Sequence, residues 1–108
     1  MELARRTLGL LLSTGPEHPT NLRAAIGLSE AALDRGASVY LYLIDDGVRA
    51  LDAPALRALP RRGAKLFVCA YGCLKRRIPL EESPDITYCG LVVLTDIING
   101  TDRFVALN

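Results

Sequence analysis

The sequence predicts an α/β fold: a three-layer α/β/α arrangement around a mostly parallel sheet of four to five strands. Three observations predict it. Short apolar runs alternate with stretches of helical spacing along the chain, the pattern of repeated strand–helix–strand units. The runs are continuously apolar, as strands buried on both faces are. Glycines and polar turn residues punctuate the elements,. At 108 residues, a single domain spanning residues 1–108 is expected, large enough to hold a real core.

Each element has its own signal. Leu8 to Leu12 is an uninterrupted apolar run before Ser13-Thr14-Gly15-Pro16 and reads as the first strand,. Pro19 suits the first turn of a helix. Leu22, Ile26, Ser29 and Leu33 then fall at helical spacing with Ala25 and Ala32 beside them, and Gly36 supplies a left-handed cap,. Val39 to Ile44 is rich in strand formers and ends at Asp45-Asp46-Gly47,. Val48 to Leu59 is broken by Pro54 and predicts two short helical pieces,. Gly63 precedes a third strand, Lys65 to Cys69, and residues 70–77 read as helical. Ile78 to Tyr88 is polar, carries Pro79 and Pro84, and reads as a loop with a short strand over Ile86 to Cys89. Leu91, Leu94, Ile97 and Ile98 mark a helix face capped by Gly100, and Arg103 to Leu107 is the last strand.

Composition excludes several function classes. Half of the residues are apolar, which argues against disorder. A formal net charge of +1 gives no electrostatic footprint for nucleic acid. No apolar run approaches the roughly 20 residues of a membrane helix. Leu8 to Leu12 is too short for a secretory signal and lacks a small-residue cleavage pattern,. Three cysteines, an odd number without an export signal, predict free thiols in the cytoplasm. Mean hydropathy above zero with few aromatics predicts apolar surface covered by a partner chain, hence a homo-oligomer.

In parallel sheets the working groups gather at the carboxyl ends of strands. Three segments sit there: Ser13-Thr14-Gly15, Asp45-Asp46-Gly47 and Cys69. The first lacks the glycine density of a phosphate loop. The second resembles a carboxylate pair for Mg²⁺, but reads as a turn with Asp46 capping a short helix. His18, the single histidine, reads as a solvent-exposed loop residue. The three cysteines lack zinc-site spacing, and no cofactor is expected.

Cys69 is the candidate catalytic residue, with Lys75, Arg76 and Cys73 as supporting neighbours. A thiolate ending a strand before a helix faces free backbone N–H groups, which favour the charged form. Lys75, Arg76 and Arg77 add positive potential, although cations early in a helix oppose its dipole. That local cost invites a functional explanation. A buried, inert cysteine at a strand end is the competing reading, and the residues alone leave both open. Cys73 falls on the same helical face as Cys69, where Cβ atoms stand roughly 5–6 Å apart, against about 3.8 Å in a disulfide. It is expected to pack against the sheet. Whether Cys89 approaches Cys69 is not legible.

These residues resemble the DsrE/DsrF-like family, which includes the TusD-type sulfur-relay subunits. The resemblance spans nearly the whole chain. It rests on Thr14-Gly15-Pro16-Glu17, the alanine-rich helix running to Gly36, Asp46-Gly47-Val48, Cys69 followed by Leu74-Lys75-Arg76-Arg77, and Asp102-Arg103-Phe104-Val105. Arg77 stands where the family usually has glycine, and Tyr71 and Cys73 where it has small residues. The resemblance implies a persulfide on Cys69, sulfur donor and acceptor proteins as partners, and assembly into trimers or hexamers. Members without the cysteine act as structural partners. Persulfide exchange needs a reactive thiol but no metal or nucleotide. Thiol–disulfide chemistry using Cys69 with Cys73 or Cys89 is a further alternative.

Overall fold

The computed structural model describes residues 4–108. Five strands form one sheet in the order β4-β3-β2-β1-β5: β1 (Thr7–Leu12), β2 (Ser38–Leu43), β3 (Lys65–Cys69), β4 (Ile86–Cys89) and β5 (Arg103–Leu107). Every pairing is parallel. The sheet is therefore wholly parallel, five-stranded and flanked by helices, as the apolar runs predict.

The strand order dictates the layers. From β1 to β4 the chain steps steadily toward one edge, so right-handed crossovers place the connections on one face,. These are α1 (Pro19–Asp34), a 3₁₀ segment (Asp45–Asp52), α2 (Pro54–Arg57), a second 3₁₀ turn (Leu59–Arg62) and α3 (Ala70–Lys75). The step from β4 back past β1 to β5 sends α4 (Leu91–Gly100) over the opposite face.

Small residues let α1 approach the sheet: Ala25, Ser29 and Ala32 are buried, and the Ser29 hydroxyl donates to the Ala25 carbonyl at 2.7 Å. The helix ends at Gly36, whose φ of 85° is left-handed. Gly36 and Ala37 donate back to Leu33 and Ala32, the paired bonds of a Schellman cap. Beneath α1 and its neighbours lie Leu10, Leu12, Leu41, Leu43, Val68, Leu56 and Leu59, all at most 1% exposed. Each fully buried side chain of this kind contributes about 1.5–3 kcal/mol. On the other face Tyr40 and Phe67 stack with centroids 6.3 Å apart and line a shallow cavity with Val93 and Ile97 of α4.

Two details depart from expectation. The stretch around Pro54 contains 3₁₀ turns on both sides of a single α-turn, because Pro54 and Pro60 interrupt longer ladders. The helix after Cys69 stops at Lys75 rather than reaching residue 77. No described helix is long and apolar enough to cross a membrane.

Candidate functional site

All three cysteines are free and converge at the carboxyl end of the sheet. Cys69 ends β3 and is the N-cap of α3, where its Sγ accepts the Gly72 N–H at 3.4 Å. An unpaired backbone donor at the start of a helix thereby meets sulfur. The residue is 7% exposed.

Cys89 ends β4 and is the register partner of Cys69. Paired residues on neighbouring strands project to the same side of a sheet. Cys89 is half-buried, more open than Cys69. Its thiol is pushed up chiefly by burial, with the Cys69 sulfur adding to this and the Tyr42 hydroxyl opposing it.

Tyr42 feels both sulfurs. It lies on β2, paired with Phe67 and fully buried, and its hydroxyl donates to the Gly90 carbonyl at 2.9 Å. Burial raises its ionisation well above the usual phenol value, and the Cys89 and Cys69 sulfurs raise it further. Sequence reading missed Tyr42. The available signal was a tyrosine inside a continuously apolar strand, where a buried hydroxyl must find a partner.

Cys73 is fully buried within α3. Burial pushes its thiol up, the Cys69 sulfur adds to this, and Arg76 opposes it. It packs as expected from the helical spacing.

The basic run takes another position from the one expected. Lys75 lies in the last turn of α3, Arg76 is its C-cap and Arg77 lies beyond it. Cations at a helix C-terminus suit the dipole, so the charges of the run do not oppose the helix. Arg76 Nε binds Asp46 Oδ1 at 2.9 Å, and its Nη1 donates to the Gly72 carbonyl at 3.2 Å. This ties α3 to the 3₁₀ segment after β2. Asp46 consequently caps no helix; Ile44 is the N-cap of that segment. The Arg76 guanidinium holds the Asp46 carboxyl below the usual range, with Arg49 and His18 adding to the effect. Arg49 in turn pairs with Glu17 at 2.8 Å. His18 is exposed at the N-cap of α1.

Gly47 makes this packing possible. A Cβ there would stand 2.0 Å from the Leu12 carbonyl oxygen, so only glycine lets the turn after β2 close on the end of β1. Among the described residues, no cluster of histidine, cysteine, aspartate or glutamate is arranged to hold a metal ion. The chemistry available is that of thiols: nucleophilic attack, sulfur exchange and disulfide formation.

Comparison with known proteins places the fold. The sequence pattern of the DsrE/DsrF-like family matches residues 7–107. The crystal structure of the ychN protein from E. coli superposes with a TM-score of 0.71 at 20% identity, covering 94% of this chain and 98% of that one. At that identity the likeness is one of fold. No curated protein matches the sequence significantly.

Proposed function

The chain belongs to the DsrE/DsrF-like family, and from that premise we propose that it is a sulfur carrier holding a persulfide on Cys69. The observation that carries this reading is the strand-end position of Cys69, with its Sγ on the Gly72 N–H. That donor fixes the sulfur at the strand end, where an incoming sulfur species can meet it. The Cys69 thiolate attacks the outer sulfur of a donor persulfide R–S–SH. A new S–S bond forms to Cys69, the donor's S–S bond breaks, and R–S⁻ leaves with the electron pair. An acceptor thiolate later takes the same sulfur from Cys69 by the same exchange.

The reading implies donor and acceptor proteins as partners. It sets the chain in the cytoplasm, where thiols stay reduced. It also includes assembly as a homo-oligomer, a trimer or a hexamer of two trimers. Exposed Leu91 and Val92 begin α4, and exposed Tyr71 and Leu74 lie on α3, apolar surface of the kind a second chain covers.

The low exposure of Cys69 favours a second reading, in which the chain is an inert structural partner. Sulfur uptake separates the two. Brief incubation with inorganic polysulfide, with intact mass read at once before and after reduction, is expected to show one added sulfur on wild type and none on Cys69→Ser. Serine keeps the size but is a far weaker nucleophile. Equal uptake by both chains would contradict the carrier reading.

A further inference from the structure

We propose that Cys89 is the resolving thiol of this site: it discharges the sulfur held on Cys69 and closes a Cys69–Cys89 disulfide. The proposal rests on the carrier reading and adds a release step internal to the chain.

Register carries the argument. Cys69 and Cys89 are paired across parallel strands and are the last residues of β3 and β4. Neighbouring strands lie about 4.8 Å apart, within the span of about 4.4–6.8 Å between the Cα atoms of a disulfide. Being terminal, the pair can adjust without breaking a ladder on its far side. Cys73 is a poorer partner. It lies inside α3, whereas Cys69 is the extended N-cap ahead of that helix. Bridging the two would distort the turn whose Gly72 N–H binds Cys69.

The surroundings support the same pair. The Tyr42 hydroxyl, bonded to the Gly90 carbonyl next to Cys89, bears on both sulfurs. Burial leaves the Cys89 thiol above its ordinary value, with the nearby Tyr42 hydroxyl opposing that rise. Cys89 is also the more exposed of the two, so its proton has a route to solvent.

The step balances without an external oxidant. The Cys89 thiol first gives its proton to solvent. Its thiolate attacks Sγ of the Cys69 persulfide, forming the Cys69–Cys89 bond. The bond from Sγ to the outer sulfur breaks, and its electron pair leaves with that sulfur as HS⁻. The outer sulfur is reduced to hydrosulfide while the two cysteines are oxidised to the disulfide.

The test loads the full chain with inorganic polysulfide, removes the excess, and follows intact mass and released hydrosulfide. Wild type should lose the added sulfur as hydrosulfide and finish two hydrogens lighter than the reduced chain, with Cys69 and Cys89 in one linked peptide. Cys89→Ser and Cys89→Ala should load equally but lose the sulfur at least about tenfold more slowly. Cys73→Ala should behave as wild type. Unchanged discharge in both Cys89 variants, or a Cys69–Cys73 link, would overturn the resolving role while leaving the carrier intact. Absence of loading on wild type would overturn the carrier reading and this step with it.

Discussion

Arg77 adopts a left-handed backbone, with φ of 56°. Arg77 and Ile78 donate back to Leu74 and Cys73, so Arg77 occupies the position a Schellman cap reserves for glycine. A left-handed conformation costs a non-glycine residue about 1–2 kcal/mol, partly offset by the freedom glycine would add to the unfolded chain. Arg77→Gly should therefore stabilise the protein by about 1 kcal/mol, read as a higher urea midpoint with an unchanged slope. A lower midpoint would mean that the arginine side chain makes a compensating interaction. The residue also shows where sequence reading stopped. The run Lys75-Arg76-Arg77 looked like an early-helix charge cluster because the helix end at Lys75 depends on that cap. Arginine there gives none of the signal that glycine gives at Gly36.

Among elements, the strands were the most legible. β1, β2 and β3 are short apolar runs bounded by turns, and their burial leaves them little alternative,; β5, an edge strand without a fully buried residue, was legible from its apolar run alone. The connection after β2 was legible only as broken helix, since 3₁₀ and α turns share residue preferences. What joins it to α3 is a side-chain pair, Asp46 with Arg76, between residues far apart in sequence. The pair has a pH signature. The Asp46 carboxyl is lowered from an ordinary value of 3.8, chiefly by Arg76. The native state thus holds its proton less tightly than the unfolded chain. Its contribution is full above the ordinary carboxylate range and is lost as pH falls through the native value. Wild type should lose more stability than Asp46→Asn when acidified through that range, followed by urea unfolding at each pH. Parallel loss in the two proteins would show that the pair contributes nothing.

For the whole molecule, the sheet order brings β3 and β4 together and sets Cys69 beside Cys89. That meeting was not legible because β4 follows a polar loop whose sequence fixes no register. Tyr42 was missed for a related reason: its role lies in the Gly90 carbonyl it reaches across the sheet. The exposed apolar residues on α3 and at the start of α4 border this same end of the molecule. Light scattering at micromolar concentration should accordingly give the mass of a trimer or hexamer, and a monomer alone would contradict the assembly.

The central claim is that Cys69, rather than its two neighbours, receives sulfur. The position of the added sulfur in the polysulfide uptake experiment tests it most directly. The wild-type chain is exposed briefly to a limiting dose, capped at once with iodoacetamide, and digested for peptide mapping. Cys69 is expected to carry the capped persulfide, with Cys73 and Cys89 recovered as simple thiol adducts. A persulfide first found on Cys73 or Cys89, with Cys69 unmodified, would contradict the account.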